Sequence, residues 1–161
     1  MLLTSDIQDL IRLFQDHGVQ FVLVGGFAVN YYGYVRTTQD IDLLILPTEE
    51  NARRSMAALC DFGFGGAGIP ETLLANEGAA VHLGSEPNRI DILTSLVGMS
   101  TSDIILGSHR VEVDGVEVPI IAFEHLVAVK QSSKRTRDRA DAEELLKIAA
   151  QSSNDGSTAS D

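Results

Sequence analysis

The sequence predicts a single α/β domain in which short apolar strands alternate with helices that carry one apolar face. Three observations carry this reading. Residues 21–24 (Phe-Val-Leu-Val) form an apolar run without alternation, as expected of a strand covered on both faces in mid-sheet. Ile7, Leu10, Ile11 and Phe14 recur at helical spacing between a capping Thr4 or Ser5 and a terminating Gly18. The length of 161 residues, with 44% apolar and 22% charged residues, suits one domain with a core and is too short for two of ordinary size. The domain is expected to span residues 1–150. The small polar run after it, 151–161, reads as a disordered tail.

The remaining elements follow in order. After Gly25-Gly26 a short helix is expected over 27–32, ended by Gly33, and 34–39 is a loop leading into a second strand that opens with Asp40-Ile41-Asp42. Residues 47–50 end that strand and start a helix through Asn51, Arg54, Ala58 and Leu59. Residues 63–68 are a glycine-dense connection; the run GFGGAG lacks the Gly-Lys-Ser/Thr ending and the preceding apolar strand of a P-loop. Pro70 suits the first turn of a short helix through Leu74. Segments 79–83 and 89–93 flank Gly-Ser-Glu-Pro-Asn and predict a hairpin, with His82 a hydrogen-bonded sheet residue in its first strand. Asp114-Gly115 predicts a second hairpin, 109–113 with 116–121, at the sheet edge. Two helices are expected at the end, over 123–131 and 136–150, the latter packing through Ala140, Leu145, Ile148 and Ala149. There are no internal repeats.

Composition excludes several classes. No run approaches the roughly 18 to 20 apolar residues that cross a bilayer, so no membrane role is expected. The N-terminal stretch has two acids in its first ten residues and no basic region, unlike a signal peptide, and a cytoplasmic location is expected. A lone Cys60 fits a reducing compartment and is expected to pack as a small apolar residue on a helix. The net charge of -11 argues against broad electrostatic binding to nucleic acid, although a local basic patch remains compatible with it.

The chemistry concentrates in residues 21–46. In a strand, side chains two apart share a face, so Asp40 and Asp42 point the same way while Ile41 enters the core. Two adjacent carboxylates repel unless a cation joins them, and such oxygen pairs suit Mg²⁺, which completes its shell with water and substrate phosphates. Gly25 and Gly26 let the backbone approach a ligand, and the helix start that follows offers N–H groups to an anion. Thr37 and Thr38 sit where phosphate or ribose would pass, or else are simple turn residues. Arg36 pairs either with a phosphate or with a nearby acid. Asp91, in Arg89-Ile90-Asp91-Ile92-Leu93, faces away from its apolar neighbours. Lys130, Lys134, Arg135, Arg137 and Arg139 place five of the twelve basic residues within ten positions, offset by Asp138, Asp141, Glu143 and Glu144.

A strand ending in Gly-Gly, a short helix and then Asp-x-Asp resembles the signature of the nucleotidyltransferase superfamily typified by DNA polymerase beta, in the minimal form of AbiE-type toxins and related bacterial proteins. With Asp91 as the third acid, Lys130 in a late helix and the basic loop before Asp138-x-x-Asp141, the resemblance covers about residues 21–146. It implies a mixed twisted sheet flanked by helices, with further helices at the C-terminus. It also implies Asp40, Asp42 and Asp91 as catalytic metal ligands for two Mg²⁺ ions, or Mn²⁺. Nucleotide binding falls to Gly25, Gly26, Thr37, Thr38 and Lys130. Where many superfamily members carry Gly-Ser, this chain has Gly25-Gly26, which removes a phosphate-binding hydroxyl and leaves Thr37 or Thr38 to supply one.

The implied reaction is Mg-dependent transfer of a nucleoside monophosphate from an NTP, such as ATP, to an acceptor hydroxyl, Asp91 taking the hydroxyl proton. Three functions stay open. RNA, for instance a tRNA 3′ end, is one acceptor, with Lys134, Arg135 and Arg137 on its path and a toxin-antitoxin partner in prospect. A small molecule or partner protein is the second, as for antibiotic adenylyltransferases. The third is a non-catalytic nucleotide-binding member, against which the intact acidic triad speaks.

Overall fold

The computed structural model describes residues 3–38, 40–65, 68–86 and 88–156. Helix α1 (Ser5–Asp16) starts where the Thr4 hydroxyl accepts a bond from the Ile7 amide, and it buries Ile7, Leu10, Ile11 and Phe14. Each such side chain contributes about 1.5–3 kcal/mol of apolar burial. Phe14 meets Phe21 edge to face at 5.3 Å, which sets α1 against strand β1 (Phe21–Val24). All four β1 residues are buried, as the unbroken apolar run predicts.

Helix α2 (Gly25–Tyr31) begins directly at the diglycine, and strand β2 (Ile41–Ile45) follows one residue after Asp40. Helix α3 (Glu49–Leu59) is capped by Thr48. Asn51 in its first turn is buried, accepts from the Gln20 amide at 2.7 Å and donates to the carbonyls of Gln20 and Leu46. One amide side chain thereby joins the start of β1 to the end of β2.

A short helix α4 (Glu71–Leu74), strands β3 (Ala80–Leu83) and β4 (Ile90–Leu93), and helix α5 (Thr101–Leu106) come next. Strands β5 (His109–Val113) and β6 (Val116–Ile120) then precede α6 (Phe123–Ser132) and α7 (Thr136–Asp155). The six strands form one mixed sheet in the order β3-β4-β2-β1-β6-β5. β2 lies antiparallel to β1 and parallel to β4, and both hairpins pair antiparallel as expected. β1 lies inside the sheet and β5 is at its edge.

Five expectations need correction. Cys60 is exposed, not packed, because α3 runs into a wide turn, Cys60–Phe64, whose Gly63 has φ 109°. Pro70 caps α4 from outside the helix. Residues 101–106, assigned no element from sequence, are helical, with the Ser100 hydroxyl accepting from the Asp103 amide. On α7 the buried residues are Asp141, Ala142 and Leu145, while Ala140 is exposed. Finally, α7 continues to Asp155, so the first residues of the expected tail are helical. Ser152 and Ser153 bond back to the carbonyls of Ile148 and Ala149, which carries the helix onward. Residues 66–67 of the glycine-dense connection, and 157–161 of the tail, lie outside the described residues.

Candidate active site

The site forms where β1 ends and β2 and β4 begin. Gly25 adopts φ +68°, and a Cβ there would overlap the Asp42 carboxylate. A Cβ on Gly26 would lie 2.6 Å from the Thr38 hydroxyl. The diglycine is therefore required by packing against the acidic site as well as by any approach of phosphate. Asp42 stands opposite Asp91 in the parallel register of β2 with β4, and Asp40 immediately precedes β2.

Electrostatics in this corner are unbalanced. The Arg89 guanidinium forms an ion pair through Nη2 with Asp40 Oδ2 at 3.0 Å, and donates from Nε and Nη2 to Asp91 at 3.0 and 3.1 Å. His82, opposite Asp91 on β3, places Nδ1 2.6 Å from Asp91 Oδ1. Burial alone raises the Asp91 pKa, but the bonds from His82 and Arg89 outweigh it and hold the carboxyl below its ordinary range. Asp42 has no such partner; burial first, then the charges of Asp91 and Asp40, push it up to about 7. Asp40 Oδ1 is buried without a hydrogen bond. Among the described residues no three carboxylates, imidazoles or thiols form a finished metal cage, and the cation present between Asp40 and Asp91 is the guanidinium. An orphaned carboxylate oxygen, a carboxyl driven toward neutrality and a cation already bridging its neighbours all fit a divalent ion held by these oxygens.

The acids line a cavity of about 400 Å³ together with Gly25, Gly26, Thr37 and Thr38, and none of its lining residues carries an apolar side chain. Behind it, Lys130 Nζ contacts Asp138 at 2.7 Å and Asp141 at 3.1 Å. Arg36 forms a two-pronged pair with Asp141, 2.9 Å on each prong. Asp141 is only 1% exposed. Arg137 donates to the Thr37 carbonyl, so the loop before β2 is strapped to α7 by Arg36 and Arg137. Burial works against ionised Asp138, but bonds from Lys130 and Ser133 prevail and keep its pKa low.

The family model described as a nucleotidyl transferase of unknown function (DUF2204) matches residues 3–158. The chain belongs to this family. No curated protein matches the sequence. The nucleotidyl transferase is similar in fold to the lincosamide antibiotic adenylyltransferase LnuA, solved with lincomycin bound, at 14% identity and TM-score 0.57 over 91% of this chain and 98% of that one. The antibiotic-resistance factor ANT(2'')-Ia is similar at 13% identity and TM-score 0.54, over 92% of this chain and 82% of the other. An antigenic nucleotidyltransferase-like protein of Paracoccidioides brasiliensis is similar at 12% identity and TM-score 0.52, over 91% and 77%.

In this nucleotidyl transferase the predicted residues Asp40, Asp42, Asp91, Gly25, Gly26, Thr37, Thr38, Lys130, Arg135 and Arg137 all line the one polar cavity, whereas Lys134 is exposed outside it. Arg36 takes the second of its two readings, pairing with an acid. His82 is a hydrogen-bonded sheet residue as expected, but its partner is the third acid of the site. Arg89 was missed as a site residue. Its signal was present, since it sits two residues before Asp91 and so shares its face. A larger hollow of about 990 Å³ lies between α1, α5 and the β5-β6 hairpin, away from the acids. Among the described residues, no helix is long and apolar enough to cross a membrane.

Proposed function

We propose that the chain transfers a nucleoside monophosphate from an NTP to the hydroxyl of a small-molecule acceptor, with Asp40, Asp42 and Asp91 holding Mg²⁺. The observation that supports this best is the pairing of Asp42 with Asp91 across β2 and β4, beside a cavity of about 400 Å³ lined by polar side chains and two glycines. When bound, the ions supply positive charge for the triphosphate and the departing pyrophosphate. The chain's own groups do the rest. Gly25 and Gly26 keep the space beside Asp42 and Thr38 free of side chain. Thr37, Thr38, Arg135 and Arg137 face the phosphates at the cavity wall. Lys130 serves them at one remove, by fixing Asp138 and Asp141. The acceptor oxygen bonds to the α-phosphorus as the bond to the β-phosphate oxygen breaks, and Asp91 receives the hydroxyl proton. Both Asp91 oxygens accept bonds from Arg89, so Arg89 withdraws before Asp91 takes a proton.

A small-molecule acceptor is supported by a second cavity of about 570 Å³ that shares Asp42, Arg89 and Asp91 with the first. Its lining also includes the apolar residues Leu93, Leu96, Val97, Leu126 and Val129. That volume is typical of small-molecule sites, and these residues fit an acceptor with an apolar face beside its reactive hydroxyl. A lincomycin-bound adenylyltransferase among the structural relatives is in keeping with this reading. RNA is the second reading, favoured by exposed Lys134, next in sequence to the cavity-lining Arg135. Incubation with α-labelled NTPs and Mg²⁺, offered total RNA or the small-molecule fraction of a lysate, separates the two. Label is expected in small molecules and absent with Asp42→Asn; label confined to RNA would reverse the order of the readings.

A further inference from the structure

We propose that Arg89 is a resident stand-in for the divalent ion: in the metal-free protein its guanidinium fills the seat between Asp40 and Asp91, and it moves to the nucleotide's phosphates when the ion arrives. This rests on the nucleotidyl-transfer reading above. One planar group spans two carboxylates from different strands, using Asp40 Oδ2 and both oxygens of Asp91. These are oxygens that an ion held by the same residues would need. Ion and guanidinium therefore compete for one place.

The direction of the exchange follows from charge. Arg89 brings one positive charge to three carboxylates, contacts two of them and leaves Asp40 Oδ1 without a partner. A doubly charged ion compensates the group more fully. An arginine cannot lose its charge by deprotonation in this setting, so it has to move to make room. Its side chain is about one-third exposed and already lines the polar cavity, so a short swing brings it to an entering triphosphate. A guanidinium suits phosphate because its fork of donors matches two oxygens at once. His82 stays behind, and its bond to Asp91 Oδ1 keeps that carboxylate oriented after Arg89 has left. The arginine would thus keep the apo site folded, delay the ion until nucleotide is present and then help to bind that nucleotide.

The test titrates the full-length chain with Mn²⁺ alone by calorimetry, comparing the parent with Arg89→Gln. If the seat is free about a tenth of the time in the parent, Arg89→Gln binds Mn²⁺ about tenfold more tightly. At saturating Mn²⁺ the same variant should bind α,β-methylene-ATP more weakly than the parent. Equal or weaker Mn²⁺ binding by Arg89→Gln overturns the stand-in role while leaving the metal site itself in place. Failure of both proteins to bind Mn²⁺ overturns the metal reading and the stand-in role together. Should Arg89→Gln not fold, the parent alone decides. Its Arg89 Nε–H resonance, held in ion pairs without metal, must shift or broaden on Mg²⁺ addition, and an unchanged resonance refutes the exchange.

Discussion

Asp42→Asn should stabilise the metal-free protein at neutral and alkaline pH, and the size of the effect can be worked from the site. The Asp42 carboxyl is raised from 3.8 to about 7 by burial and by Asp91 and Asp40. At about 1.36 kcal/mol per pH unit, ionising it in the folded protein costs about 4 kcal/mol relative to the unfolded chain. The sign is fixed by the folded protein binding the extra proton. Stability from this group is full below pH 3.8, falls as pH rises toward about 7 and is flat beyond. Asparagine cannot ionise, so the variant loses that slope. The figure is a ceiling, because Asp91 and Arg89 can rearrange around a lone charge. Urea unfolding in EDTA at pH 5 and pH 8 provides the assay. Only the two pH units between pH 5 and the folded value of about 7 are sampled, about 2.7 kcal/mol, so with a slope of about 2 kcal/mol per molar urea the midpoint of the variant should gain up to about 1.3 M on the parent between the two pH values. Saturating Mg²⁺ at pH 8 should remove most of that gain by compensating the parent's charge. Parallel pH curves for the two proteins would refute the charge-crowding account of the triad.

The other expectations concern the walls of the cavity. Lys130→Ala leaves Asp138 and the buried Asp141 short of a cation, so it should destabilise the fold by about 3–5 kcal/mol, read by urea melts. Its effect on nucleotide affinity should appear only through that loss of order. Gly26→Val forces atoms into the Thr38 hydroxyl and toward Arg36, and should lower NTP affinity more than it lowers the melting temperature. Equal affinity would make the diglycine a simple turn. Neutralising Lys134, Arg135 and Arg137 together should weaken NTP binding, because two of the three line the polar cavity. If instead it leaves NTP binding intact and flattens the salt dependence of RNA binding by about 0.7 per lost contact, the RNA reading gains.

Much of the fold was legible because its signals are local. The unbroken apolar run of β1 marks a strand buried on both faces, and the turn at Asp114 and Gly115, with φ 51° and 78°, fixes the pairing of β5 with β6, each without reference to the rest. A period of two put Asp40 and Asp42 on one face and turned Asp91 from its apolar neighbours, while the grouping of the three acids came from the family resemblance. Helix α5 escaped because its six residues bury only Thr101 and Ile104, too few for periodicity to register. The end of α7 escaped because serine is ambiguous: its hydroxyl can cap a helix or, as at Ser152 and Ser153, bond back into one. The partners of the long-range ion pairs could not be read. Arg36 and Asp141 are 105 positions apart, and nothing in either neighbourhood names the other.

That last blindness also changes the meaning of the basic cluster. From sequence, Lys130 read as a triphosphate-binding residue, and Arg135 and Arg137 as part of a path for a polyanionic acceptor. In the structure they join Arg36 and Arg89 around a cavity lined as well by Asp40, Asp42, Glu86, Asp91 and Asp138. Cations and acids are thus matched within the cavity while the chain as a whole carries -11. The match is uneven in use. Lys130, Arg36 and Arg89 are bound to carboxylates, whereas Arg137 contacts a backbone carbonyl at the rim. A local field arranged this way favours a compact, highly charged ligand that can exchange with internal pairs, which describes a metal-bound triphosphate better than the extended backbone of a nucleic acid. The net charge of -11 opposes the approach of polyanions and so accords with the small-molecule acceptor proposed above.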